Sequence, residues 1–254
     1  MQINNKARRI SQSKILPPTV SSGYWANRRA WDRWSIEDAG DFFSAHVHVN
    51  QREMTADRIR KMQDGIVVAD LCCGTGKISY SILGLPNVSR LFSIEINPRS
   101  ADIAREKIAS HPEHEKSTIV VGDVYSEISN LPPLDCVVCL DALHHLPNIQ
   151  MAIQLVHDKL KSGGLFIGNF VSSEQMKLIA VERNIEAKHW YLSFMTKLFG
   201  ALRFFSPLWD YIGSKGCLRS RLYNEQEARD VIGSMFSITD FKSDNYHWFA
   251  AEKK

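Results

Sequence analysis

Along residues 66–170 short apolar runs take turns with stretches whose apolar positions recur every three or four residues. The runs cover 66–71, 90–95, 118–121, 134–140 and 164–170, and each is short enough for a strand buried on both faces. The intervening stretches predict helices that end near Leu83 and cover 98–110 and 148–161. Strand and helix in strict alternation predict an α/β fold, a doubly wound parallel sheet wrapped by helices. The core is expected over 64–171, and its closing part over 222–254, with a helix from Asn224 and strands at 235–242 and 246–251.

The flanking segments break this rhythm. Residues 1–22 are polar and basic (Lys6, Arg8, Arg9, Lys14), carry Pro17-Pro18 near their end, and read as a flexible arm. Residues 23–63 read as a helical cap, with Tyr24, Trp31 and Trp34 near one helical face and a second helix over 53–63. Residues 172–221 interrupt the alternation with helical sequence rich in Trp190, Tyr191, Phe194, Trp209 and Tyr211. No repeat or low-complexity tract is present.

The chemistry sits at strand ends. Val67-Val68-Ala69-Asp70-Leu71-Cys72-Cys73-Gly74-Thr75-Gly76 is an apolar run breaking into a glycine turn where a helix begins. Gly74 and Gly76 carry no Cβ to keep a ligand away from the backbone. The second run ends on Glu95, where doubly wound folds place a carboxylate for ribose hydroxyls. A dinucleotide site would want a third glycine where Ser79 stands, and Asp70 beside the turn would repel a pyrophosphate. A carboxylate there suits a nucleoside that carries positive charge.

These residues resemble the class I S-adenosylmethionine (SAM) methyltransferases, whose first motif is an acid, three residues, then Gly-x-Gly. Asp70-Leu71-Cys72-Cys73-Gly74-Thr75-Gly76 is similar to the variant in ubiquinone/menaquinone-type enzymes. Cys72 takes the place of a usual glycine, and an ordinary backbone conformation is expected there. The resemblance continues through Gly122-Asp123-Val124, then Leu140-Asp141-Ala142-Leu143-His144-His145, and Ser162-Gly163-Gly164, so it spans residues 66–170. It implies a seven-stranded sheet with the last strand antiparallel and the 172–221 insertion above the strands' carboxyl ends. It also implies SAM as cofactor, cradled by Asp70, Cys72, Gly74 and Gly76, with Glu95 and Ile96 at the ribose. Asp123 would meet the adenine amino group, the Val124 amide the ring, and Asp141 the amino acid end or the loop itself.

The acceptor is expected to be a small hydrophobic or aromatic metabolite methylated on oxygen or nitrogen in biosynthesis. Tyr24, Trp31, His145, Trp190, Tyr191 and Trp209 are its expected contacts, under an aromatic lid. His144 is the candidate general base, needed only if the nucleophile arrives protonated. Asp141-Ala142-Leu143-His144 lacks the Pro-Pro of amino-methylating nucleic-acid enzymes, and no cysteine nucleophile stands there. Asp141 and Asn169 with Gly168 between them leave a catechol-type magnesium set one carboxylate short, so no metal is expected.

Composition fits an enzyme of this kind. Hydrophobic residues make up 44% and charged residues 23%, as in globular domains. A net charge of +3 is too small to argue for nucleic acid. No apolar stretch is long enough for a membrane span and no signal-peptide core opens the chain, so a cytoplasmic place is expected. Five cysteines form no zinc or disulfide pattern, and the odd spacing of Cys136 and Cys139 points them to opposite faces of one strand. Two rival readings keep the SAM site. One uses another bond at sulfur, as in cyclising the cofactor's own amino acid chain. The other is a lipid or quinone methyltransferase docked peripherally on a membrane by the eight Lys/Arg against four acids of residues 174–221.

Overall fold

The computed structural model describes residues 47–146, 148–172, 223–244 and 246–254. The expected arm, the aromatic part of the cap and the insertion beyond Ser172 lie outside these residues. In chain order the elements are α1 (Val47–Arg60), β1 (Ile66–Leu71), α2 (Lys77–Leu83), β2 (Val88–Glu95), α3 (Pro98–Ala109), β3 (Ser117–Val121) and α4 (Val124–Glu127). They continue as β4 (Leu134–Cys139), a 3-10 turn (Leu143–His145), α5 (Ile149–Lys159), β5 (Leu160–Val171), α6 (Glu225–Gly233), β6 (Phe236–Ser243) and β7 (Tyr246–Lys253).

The seven strands form one sheet in the order β3-β2-β1-β4-β5-β7-β6. Pairings from β3 through β5 are parallel, and β7 runs antiparallel to both its neighbours. The expected doubly wound fold with a reversed last strand is the one observed. Because β1 connects outward to β2 and β4 connects outward to β5 on the other side, the sheet has its switch point between β1 and β4.

Burial on both faces explains the unbroken apolar runs. All six residues of β4 are buried. Cys136 and Val138 join a core with Ile59 of α1, Ile82 of α2 and Ile108 of α3. Val137 and Cys139 join the other core, with Val124 of α4, Ile153 of α5 and Ile232 of α6. The two cysteines therefore do point to opposite faces. Helix starts follow local chemistry: the Asn97 side chain accepts from the amides of Arg99 and Ser100 ahead of Pro98, and Asn224 with Glu227 forms a reciprocal capping box.

Two boundaries depart from expectation. The helix expected over 148–161 stops at Lys159, and β5 starts at Leu160, which pairs with Leu134. Gly163, at φ +70°, turns the chain inside that strand, and an irregularity between Leu134 and Cys136 absorbs the shift. The helix before β1 begins six residues earlier than 53 and ends at Arg60, where the Asn87 side chain donates to the carbonyls of Ile59 and Met62.

Asp135 pins the amino end of the central strands. Its Oδ2 accepts from the Val67 amide at 2.9 Å on β1, and both oxygens accept from Lys161 Nζ at 2.7 and 2.8 Å. Asp135 is buried, whereas the Lys161 side chain is about half exposed. Asp135→Ala should lower unfolding free energy by about 1.5–3 kcal/mol in urea titrations, because it strands a buried amide and removes a charged acceptor. Lys161→Met should cost under about 1 kcal/mol, as an exposed partner of an ion pair does.

Candidate functional site

The carboxyl-end parts of five parallel strands meet at one level: Leu71 lies opposite Ile94, Glu95 opposite Val121, and Cys139 opposite Gly168. The turn from β1 into α2 is left-handed at three positions, Cys72 at φ +57°, Gly74 at +56° and Gly76 at +73°. Cys72 therefore corrects the expectation of an ordinary backbone there. The Cys73 amide is held by the Ile94 carbonyl at 3.0 Å, so the tertiary frame imposes the glycine-like turn on a cysteine. Gly76 admits no side chain, because a Cβ there would lie 2.9 Å from that of Ala104 on α3.

Two buried carboxylates back this turn. Glu95 Oε2 accepts from the Gly74 amide and Oε1 from the Asn97 amide, each at 2.8 Å. It thus ties the turn to the entry of α3, beside Ile96. Burial raises its carboxyl above the usual range, and the amide hydrogen bonds oppose that rise. Asp70 is 2% exposed and accepts from Ser79 Oγ at 2.5 Å, and Ser79 in turn accepts from Ser93 Oγ at 3.0 Å. Burial, with the charge of Glu95 as a smaller cause, pushes its carboxyl up to about 7 against the hydrogen bond from Ser79.

On the β3 side, Asp123 caps α4 by accepting from the Tyr125 amide at 3.1 Å, and Val124 is buried just inside that helix. The Tyr125 hydroxyl donates to the Asn148 carbonyl and accepts from its amide, both at 3.1 Å, which ties this loop to the start of α5. Between them lies a small apolar void of about 10 Å³, lined by Val124, Tyr125, Leu143 and Leu146.

After β4, Asp141 is exposed and left-handed at φ +58°, and Asn169 of β5 contacts it from beneath. His144 is 5% exposed in the 3-10 turn, its ring 4.0 Å from that of half-buried His145. Its Nδ1 is buried without a hydrogen-bond partner among the described residues. Burial, then the neighbouring His145, pushes its imidazole down to about 3 although Asp141 opposes this. Gly168 has no room for a carboxylate, since a Cβ would meet Phe249 at 2.7 Å and Leu143 at 2.8 Å.

The structure thus gathers Asp70, Cys72, Gly74, Gly76, Glu95, Ile96, Asp123, Val124, Asp141, His144 and His145 along one edge of the sheet. Tyr24, Trp31, Trp190, Tyr191 and Trp209 lie outside the described residues. Sequence reasoning missed Ser79, Ser93 and Gln51. Ser79 had a signal, a small polar residue one helical turn after Gly76 and so within reach of Asp70. Gln51 had none.

Known proteins share this fold. Residues 68–164 match the family model described as "Methyltransferase domain". The chain is 28% identical over 101 residues to the probable cobalt-precorrin-6B C(15)-methyltransferase (decarboxylating) of Methanothermobacter thermautotrophicus, covering 40% of this chain and 50% of that one. It is 24% identical over 140 residues to the demethylmenaquinone methyltransferase of Leptospira interrogans, covering 55% and 49%. The chain thus spans about half the length of the curated relatives it matches. Magnesium protoporphyrin IX methyltransferase from Synechocystis PCC 6803, solved with bound S-adenosylhomocysteine (SAH), superposes with a TM-score of 0.60 at 16% identity, over 94% of this chain and 100% of that one. The N-methyltransferase NodS from Bradyrhizobium japonicum WM9, also with SAH, gives 0.59 at 10% identity, over 91% and 98%. The chain is thus similar over residues 68–164 to methyltransferase domains, and its fold is that of these SAH-bound enzymes.

Asp70 makes the site pH-sensitive in a defined direction. Its carboxyl titrates at 3.8 when unperturbed and at about 7 in the fold, so between those values the folded state holds the extra proton. Stability of the ligand-free protein should therefore fall as pH rises from about 4 to 7, and level off above. Glu95 contributes a slope of the same sign, so Asp70→Asn should flatten the profile without abolishing it. Because cationic SAM favours ionised Asp70, its binding near pH 6.5 should release protons, read by calorimetry in buffers of different ionisation enthalpy. That release should shrink in Asp70→Asn.

Proposed function

We propose that the protein transfers a methyl group from SAM to an oxygen or nitrogen of a small hydrophobic or aromatic metabolite. The observation that carries this reading is the pairing of a buried acid with a left-handed glycine turn at the sheet's switch point. Asp70 supplies negative potential behind the turn, where the cofactor's cationic methionine end would lie. Glu95, with a second lone pair on each oxygen, accepts from the ribose hydroxyls. The place of Asp123 and Val124 just beyond β3, on the far side of β2 from the glycine turn, supports their assignment to the adenine. Asp141 faces the methionine end.

Methyl transfer from a sulfonium is an in-line displacement: the acceptor atom bonds the methyl carbon as the carbon–sulfur bond breaks, and its electron pair stays on sulfur. Alignment and exclusion of water lower the barrier without a covalent enzyme residue. His144 meets the acceptor as a neutral imidazole offering its buried Nδ1. With a proton affinity this low, it serves better to orient a hydroxyl or amine than to strip a strongly held proton. His145 lines the mouth, and Tyr24, Trp31, Trp190, Tyr191 and Trp209 supply the aromatic walls and the lid. The curated relatives named above act on a cobalt-precorrin and a demethylmenaquinone by their names, which supports a small organic ring compound rather than a macromolecule as the acceptor.

Incubation with SAM and a panel of phenols, carboxylated ring compounds and quinols, followed by mass spectrometry, tests this. The expected product is SAH together with an acceptor heavier by one methylene. Release of 5′-methylthioadenosine instead would replace methyl transfer with chemistry at another sulfur bond. His144→Ala should lower turnover by about 10-fold if the ring orients, and by roughly 10²–10⁴-fold if it is a base. The base case also requires the loss to grow with the acceptor's pKa.

A further inference from the structure

Asn169 lies on β5 with none of its surface exposed, directly under the turn that follows β4. Its Oδ1 accepts from the Asp141 amide at 2.7 Å, and its Nδ2 donates to Asp141 Oδ1 at 2.8 Å. The other hydrogen of Nδ2 donates to Oε1 of Gln51, a buried residue of α1 that is 118 positions away in the chain. One side-chain amide therefore grips Asp141 at two points, backbone and carboxylate, and is itself held from α1. A non-glycine residue at φ +58° is strained, though aspartate tolerates this region better than most. Gripping the amide and the carboxylate together fixes φ and the side-chain rotamer at once, which solvent cannot do. Burying the Asn169 amide next to a ligand edge is worthwhile only if its hydrogen bonds are made, and its oxygen and both amide hydrogens are engaged here.

We propose that Asn169 and Gln51 are a positioning pair, in which Asn169 clamps Asp141 in its left-handed turn with its carboxylate set toward the cationic end of SAM and Gln51 anchors the clamp to α1. This rests on the reading of Asp141 as a cofactor contact. Neither Asn169 nor Gln51 touches the cofactor; both act through Asp141. The pair also joins α1 to the turn after β4, so displacement of either element is felt by the other.

The test is calorimetric titration of the full chain with SAM, for Asp141→Ala, Asn169→Leu and the double variant, each checked for cooperative melting. Asp141→Ala should weaken SAM binding roughly 10–100-fold, the loss of a charge-assisted contact. Asn169→Leu should reproduce most of that loss, and the double variant should be no worse than Asp141→Ala, because the two residues act as one unit. Gln51→Glu, which keeps the acceptor, should recover most of what Gln51→Leu loses. If Asn169→Leu does not fold, Asn169→Asp and Gln51→Leu carry the same comparison with Asp141→Ala. Unchanged SAM affinity in the Asn169 variants beside a loss in Asp141→Ala overturns the clamp and leaves the Asp141 reading standing. Losses that multiply in the double variant overturn it too. Unchanged affinity in Asp141→Ala removes the cofactor reading of Asp141, and the clamp's purpose with it.

Discussion

The hydrogen bonds from the Gly74 and Asn97 amides to Glu95 are the contacts on which the rest of the site depends. One carboxylate at the end of β2 reaches back to the turn after β1 and forward to the start of α3. Without it, the turn would have to hold three left-handed residues in five on its own backbone preferences. With it, the close approach of Gly76 to Ala104 of α3 comes from two elements fixed to the same side chain. The cost is a carboxylate taken out of water, which is why its proton affinity rises.

The same trade recurs one layer deeper. Asp70 is fully enclosed, and its only described side-chain partner is a neutral hydroxyl relayed by a second. A charge so placed is poorly compensated until a cation arrives, so the ligand-free fold gives up stability that a cationic ligand can restore. At the other end of the sheet the opposite solution is used. Asp135 faces half-exposed Lys161 and an amide, and so keeps its charge satisfied at all times. The amino ends of the strands are built to stay, the carboxyl ends to bind.

Much of this was legible in the sequence because the central strands are buried twice over. A short unbroken apolar run bounded by turns and helices fits a strand covered on both faces and little else, and the run Ile66–Leu71 matched residue for residue. Asp70, the glycines and Glu95 were legible since motif spacing is local. What escaped depended on contacts distant in sequence. Nothing local to Cys72 forbids an ordinary conformation, yet the Ile94 carbonyl, which holds the next amide, imposes another. The start of β5 at Leu160 was hidden by helix-like periodicity, and only its pairing with Leu134 decides it. Gln51 sits on a helix whose local pattern says nothing about Asn169.

Cysteine at position 72 has a consequence for the unfolded chain. A glycine there would roam widely when unfolded and lose that freedom on folding, whereas a residue with a Cβ starts from fewer states. The strain of a left-handed cysteine is thus partly offset by a smaller entropy loss. The turn then arrives preorganised, with less ordering left for the cofactor to impose when it binds.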